Sequence, residues 1–251
     1  MNKPKIVVIL GPTASGKTGL ALEVAKLFNG EVISADSRTV YAQMDIGTAK
    51  PSLQSIQDLV CGGWSHAGVL HWGFNLVNPD EHFQALDFKK FAEHKISDIV
   101  CRKKTPVIAG GTGLYIQGLV DNFDFEGGVA GEPKYNALQI GIFIDRAELY
   151  VRINKRVETM IASGLVSEVS GLKKKYGCRI KSMTGIGYRQ ICQYLEGRVN
   201  LKEAIEMIKR DTRRYSKRQM TWFKRDRRII WVSNLNEAVV AIEKFLNKKT
   251  P

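Results

Sequence analysis

Gly11-Pro12-Thr13-Ala14-Ser15-Gly16-Lys17-Thr18 follows the pattern G-x-x-x-x-G-K-[ST]. The chemistry of that spacing is phosphate binding. Glycines at both ends permit backbone angles that other residues resist, so successive N–H groups turn toward one anion at the start of a helix. Lys17 adds a mobile positive charge for the outer phosphate, and the Thr18 hydroxyl is a ligand for Mg²⁺. The pattern leaves the phosphate compound open. A hydrolysing NTPase needs an acid at the end of a strand of large aliphatic residues. The nearest candidate is Asp145 after Gly141-Ile142-Phe143-Ile144, and it is better placed as the N-cap of a helix beginning at Arg146. Two further polar residues close strand-like segments: Asp36 after Ile33-Ser34-Ala35, and Thr112 after Gly110-Gly111. Each also has a purely structural reading, Asp36 as a turn cap and Thr112 as a helix N-cap.

These residues need elements to position them. Lys5 to Leu10 is a short run of Ile and Val, the pattern of a buried parallel strand, and Lys17 to Phe28 has apolar residues at helical spacing. Further strands are expected over 31–34, 106–109, 139–144 and 228–232. Helices are expected over 83–101, 148–176 with a break near Gly164, 187–195, 201–225 and 236–246. Strands alternating with helices predict an α/β fold: a P-loop NTPase-like, mostly parallel sheet flanked by helices, with a basic C-terminal helical part. Residues 1–251 are expected to form one such domain. Ligands in such sheets sit at the carboxyl ends of the strands.

Lys plus Arg number 38 against 25 Asp plus Glu, a net charge of +13. The excess is clustered. Leu201 to Arg228 holds eleven Lys or Arg and four acids, and Arg210, Arg214 and Arg218 recur every fourth residue on one face. Ile205, Ile208, Tyr215 and Trp222 mark the other side as the expected core face. Clustered cations point to a polyanionic partner, because they release counterions from a phosphate backbone. A solvated helix face is the bland alternative. The four cysteines, Cys61, Cys101, Cys178 and Cys192, form no Cys-x-x-Cys pair, which argues against a zinc or redox motif. With no signal peptide and no apolar run of membrane-spanning length, a cytoplasmic protein with reduced thiols is expected.

Ile33 to Tyr41 and Asp45-Ile46-Gly47-Thr48-Ala49-Lys50-Pro51, together with Gly11 to Thr18, resemble the tRNA dimethylallyltransferases. Gly110-Gly111-Thr112-Gly113-Leu114-Tyr115, Gly185-Ile186-Gly187-Tyr188 and Thr212 to Phe223 fit the same family in the same order. The resemblance covers most of residues 5–120 and 140–232. It implies transfer of a dimethylallyl group from dimethylallyl diphosphate to the exocyclic N6 of an adenosine at tRNA position 37, beside the anticodon. It implies that the P-loop holds the donor's diphosphate in place of ATP, with Mg²⁺ at Thr18. It implies Asp36 as general base and Thr112 as a hydroxyl in the reaction channel. Asp36, Ser37, Arg38 and Thr39 match positions that contact the target base and its neighbours. The same match makes RNA binding the better reading of Arg210, Arg214, Lys217 and Arg218. A monomer acting on tRNA is expected, without a membrane.

Two stretches depart from the family pattern. Relatives usually carry a helical insertion after the Gly-Gly-Thr block, where this chain has only Asp121 to Leu138, a Gly-rich segment expected to be a loop. A Pro-His-His-Leu-type stretch is replaced by Val69-Leu70-His71-Trp72-Gly73-Phe74-Asn75. Three other readings stay open on sequence: a prenyltransferase for free adenine nucleotide, an RNA-binding relative without catalysis, and a small-molecule kinase.

Overall fold

In the computed structural model, residues 3–51, 54–55 and 63–248 are described. Ile, Val and Leu fill β1 (Lys5–Leu10) after its first residue, and both faces of the strand are buried. Ile6, Val8 and Leu10 face one apolar cluster; Val7 and Ile9 face another. A strand apolar on both faces belongs in the middle of a sheet covered by helices on each side.

Around β1 the strands are β2 (Gly30–Ala35), β3 (Gln54–Ser55), β4 (Trp64–His66), β5 (Val69–Trp72), β6 (Thr105–Gly110), β9 (Asn136–Ile142) and β10 (Ile230–Val232). They run in the order β10-β9-β1-β6-β2-β5-β4-β3. Every neighbouring pair from β10 to β5 is parallel, and only β5–β4 and β4–β3 are antiparallel. The mostly parallel α/β sheet expected from sequence is therefore present. Helices α2 (Ala85–Cys101) and α3 (Gly113–Val120) cover one face, through Phe88, Ile96, Tyr115 and Leu119. Helices α1 (Lys17–Leu27) and α8 (Leu235–Asn247) cover the other, through Val24 and Ile242. A third cluster joins α4 (Arg146–Ala162), α5 (Leu165–Tyr176), α6 (Tyr188–Leu195) and α7 (Leu201–Phe223) into a helical layer.

Four features differ from the sequence reading. The stretch 64–72 supplies strands β4 and β5, too short for their alternation to register. Gly113 to Val120 is helix α3, whose nearly uniform apolarity hides the helical period because it is buried on most sides. The expected loop 121–138 holds a small hairpin, β7 (Phe123–Asp124) with β8 (Val129–Ala130), and the first residues of β9. Finally, Cys178 and Cys192 form a disulfide, contrary to the expectation of reduced thiols. Their pairing is spatial: the packing of α5 on α6 brings together residues 14 apart in sequence. Cys101 is free and exposed, and Cys61 lies outside the described residues. No described helix is long and apolar enough to cross a membrane.

Candidate active site

The turn between β1 and α1 has the backbone that its glycines were expected to allow. Gly11 and Gly16 sit at φ 153° and 96°, where a side chain is strained, and Gly16 is the N-cap of α1. Ser15 Oγ is buried in the turn without a hydrogen-bond partner. The Lys17 side chain is half-buried, and its ammonium is folded into the turn, donating to the carbonyl of Pro12 at 2.6 Å. Burial pushes that ammonium down to about 8; the Asp36 carboxylate opposes the shift and the Arg156 guanidinium adds to it.

Lys17, Thr18, Thr13 and Asp36 line an inner cavity of about 100 Å³ at the carboxyl ends of β1, β2 and β6. A second, outer cavity of about 680 Å³ opens beyond it. Thr13, Asp36, Thr48, Arg156 and Tyr215 line both. The two spaces therefore meet at one carboxylate, one guanidinium and one phenol. Burial first, then Asp36, pushes the Tyr215 phenol up to about 12, so it stays a proton donor at neutral pH.

Asp36 serves the turn as well as the cavities, since its Oδ1 accepts from the Arg38 N–H at 2.8 Å. Thr112 occupies the N-cap position of α3 but makes no side-chain cap. Its Oγ1 accepts from the Ser37 N–H at 3.0 Å and lines neither cavity. Ser37 and Arg38 line the outer cavity, and the Arg38 guanidinium also donates to the Ser182 carbonyl at 3.3 Å. Thr39 is buried: its hydroxyl donates to the Asp36 carbonyl and lies 3.1 Å from Ser34 Oγ, so it lines the inner cavity alone. Of the cationic residues on α7, Arg210, Arg214 and Arg218 line the outer cavity, whereas exposed Lys217 lines neither. Pro12 and Ala14 contribute backbone to the turn, Ala14 with φ 63°. Asp145 caps α4, accepting from the N–H groups of Ala147 and Glu148, as expected.

Three residues central to this geometry are not singled out by the sequence. Arg156 lies on α4 among other charged residues, and nothing in the spacing separates it from the solvated face. Its guanidinium donates to the Thr48 carbonyl at 3.3 Å beside Asp36. Gln219 is nearly buried on the otherwise charged α7. It accepts from the Thr13 N–H and donates to the Gly111 carbonyl, each at 2.8 Å, fastening α7 to the P-loop. The only sequence signal is an uncharged Gln directly after Lys217-Arg218 in the cationic run. Glu168 on α5 accepts three successive N–H groups, those of Asp45, Ile46 and Gly47, at 2.7–3.0 Å, and the Tyr188 hydroxyl at 2.7 Å. It thereby pins the turn that carries Thr48. On α7, Ile208 and Phe223 are buried as a core face requires, but Trp222 is 41% exposed, on the side of Arg218.

A glycine-bounded turn that leads a parallel strand into a helix, with a lysine ammonium folded into it, defines a phosphate-binding α/β protein. The model of the IPP transferase family matches residues 39–133 and 125–226. The chain is 39% identical to tRNA dimethylallyltransferase 2 of Geotalea uraniireducens, over 92% of this chain and 93% of that one. It is 35% identical to a tRNA dimethylallyltransferase of Staphylococcus epidermidis, over 100% of this chain and 92% of that one. The crystal structure of the tRNA delta(2)-isopentenylpyrophosphate transferase of S. epidermidis superposes with a TM-score of 0.85 at 34% identity, covering 98% of this chain and 100% of that one. The full-length tRNA isopentenylpyrophosphate transferase of Bacillus halodurans gives 0.83 at 31% identity, with 97% and 96% covered. The chain belongs to the IPP transferase family.

Proposed function

We propose that this protein transfers a dimethylallyl group from dimethylallyl diphosphate to the exocyclic N6 of adenosine at position 37 of a tRNA. The observation that carries the reading is the meeting of the two cavities at Asp36. One is a phosphate cradle; the other opens along the arginines of α7.

The donor's diphosphate lies in the inner cavity, on the N–H groups of the P-loop and between Lys17 and Arg156. The acceptor base enters through the outer cavity. An aromatic amine is a poor nucleophile, so a base that takes its proton as the new bond forms is useful. Asp36 lines both spaces and is that base. The bond from C1 of the dimethylallyl group to the diphosphate oxygen breaks with its electron pair on oxygen. The N6–C1 bond forms, and the N6 proton passes to the carboxylate. Lys17, Arg156 and the P-loop amides stabilise the charge that grows on the leaving diphosphate. The Thr112 hydroxyl fixes Ser37, and through it the turn that carries Asp36.

Thr18 fits a role in holding Mg²⁺. Thr18 lines the inner cavity beside Lys17, and a hydroxyl there is an oxygen donor suited to a hard cation. Bound there, the ion would neutralise diphosphate charge. The acceptor being a tRNA, the protein works in the cytoplasm, and as a monomer.

The hairpin segment 121–138 stands where relatives carry a helical insertion. Two features support this: the two stretches matched by the family model meet at 125–133, and the alignment to the Geotalea relative spans 298 residues while using 92% of this 251-residue chain. Labelled dimethylallyl diphosphate supplied with unmodified tRNA, with AMP or with buffer tests the reading. Label in tRNA is expected. Label in AMP alone would contradict it.

A further inference from the structure

No step of the proposed transfer uses the Cys178–Cys192 disulfide, yet it brackets a wall of the outer cavity. Between the two cysteines lie a 3₁₀ turn (Ser182–Thr184), the turn Gly185-Ile186-Gly187 and the first residues of α6. Thr184, Gly185, Ile186 and Gly187 line the outer cavity, and the Ser182 carbonyl accepts from the guanidinium of Arg38, which lines it too. The inner cavity takes none of its lining from this loop. The two sulfurs sit in different surroundings. Cys192 is 4% exposed, in the core of the helical layer and one helical turn after buried Tyr188. Cys178 is only partly buried, just beyond the end of α5, and is flanked in sequence by exposed Lys174, Lys175, Arg179 and Lys181.

Thiol reductants keep most cytoplasmic cysteines reduced, and the disulfides that do form there are usually transient, catalytic or redox-sensing. The partly exposed Cys178 sulfur is the one a thiolate can reach. Its attack breaks the S–S bond with the electron pair on Cys192 Sγ, which takes a proton. A second thiolate then attacks the reductant's sulfur in the mixed disulfide, and Cys178 leaves and is protonated. Two thiols of the reductant become one disulfide, and the protein gains two thiols. Opening the cross-link returns freedom to a loop whose ends are 14 residues apart, because a disulfide removes loop-closure entropy. The layer itself has other anchors: Tyr188 and Ile191 are in the core, and the Ser182 hydroxyl donates to the Pro79 carbonyl at 2.7 Å. The loop therefore loosens while the fold persists.

We propose that Cys178 and Cys192 form a reversible redox-modification site. The disulfide form holds the wall of the outer cavity in place for the acceptor RNA; the dithiol form, made by a thiol reductant, binds that RNA more weakly and leaves the donor site unchanged. This rests on the tRNA reading above. The test equilibrates the protein in a series of mixtures of reduced and oxidised glutathione and counts the closed pair by mass spectrometry after alkylation. Binding of unmodified tRNA and of dimethylallyl diphosphate is then measured for the closed and the open form. The pair should pass from closed to open within the series, and the closed form should bind tRNA about tenfold more tightly, a usual size for two coupled sites. Donor affinity should be the same in both, which also reports that both are folded. By reciprocity, saturating tRNA should raise about tenfold the value of [GSH]²/[GSSG] at which half the pairs are open. Cys178→Ser and Cys178→Ala should show the weaker tRNA affinity in every mixture. A pair that stays closed throughout is a structural bridge, and one that stays open throughout is two ordinary thiols. Either result overturns the site, as does equal tRNA affinity of the closed and open forms, and with tRNA bound and labelled the tRNA reading stands. Failure of both forms to bind tRNA would overturn the site and the tRNA reading together.

Discussion

The P-loop and the outer face of α7 both address phosphate, by opposite means. At the P-loop the ligand-facing groups are backbone N–H groups fixed by two glycines in unusual conformations, with a single enclosed ammonium. Along α7 they are exposed arginine side chains, some of them loosely held: Arg214 approaches Asp211 only to 4.0 Å. A pre-formed cradle selects one small anion through geometry. A flexible ridge accepts a long anion whose position is set elsewhere, by the base that enters the cavity. The two regions should therefore respond to different perturbations.

The largest effect is expected at the cradle. Lys17→Ala should abolish measurable donor binding, at least about a hundredfold, as read by calorimetry with dimethylallyl diphosphate, while tRNA binding persists. Removing an ammonium that burial disfavours should also raise the melting temperature by a few degrees. Retained donor affinity would break the comparison at its stronger end. On the ridge, Arg214→Glu with Arg218→Glu should weaken tRNA binding roughly ten- to a hundredfold. Its salt dependence should flatten by a little under one unit for each phosphate no longer neutralised. Donor binding should not change. A donor that also weakens would mean the two regions are one site.

Gln219 is the residue that joins them, and it sharpens the division. Gln219→Ala should lower donor and tRNA affinity together, each by about tenfold, since Thr13 N–H and the Gly111 carbonyl lose their partner and α7 its anchor. An effect on one substrate only would assign Gln219 to that region. The smallest effect is that of pH. The Lys17 ammonium is charged below about 8 and loses its charge above it, so donor affinity should decline as pH rises from 8 toward 9.5. The tRNA affinity of the arginine ridge should stay flat over the same range. A donor affinity that rises with pH would contradict the placement of Lys17.

The same contrast governs what the sequence discloses. The P-loop is legible because its function is written in backbone angles, and only Gly at positions 11 and 16 satisfies them easily. Asp145 is legible as a cap for the same kind of local reason. The ridge is legible as a stripe of arginines, but not which of them face the site: Lys217 belongs to the stripe by composition and lines neither cavity. Arg156, Glu168 and the Cys178–Cys192 pair are silent in the sequence because their partners are distant in it. A guanidinium beside Asp36, a carboxylate gathering three N–H groups of a remote turn, and a disulfide from the segment after α5 to helix α6 exist only once the helices are packed.

Everything proposed for the reaction depends on Asp36 being where the two cavities meet. Single-turnover transfer by Asp36→Asn, with both substrates saturating, measures that most directly. Both substrates should bind as in the wild type, and transfer should slow by about 10²-fold or more, the range for a positioned base. Transfer at a near-wild-type rate would make Asp36 a turn cap and leave the meeting of the two cavities without a base.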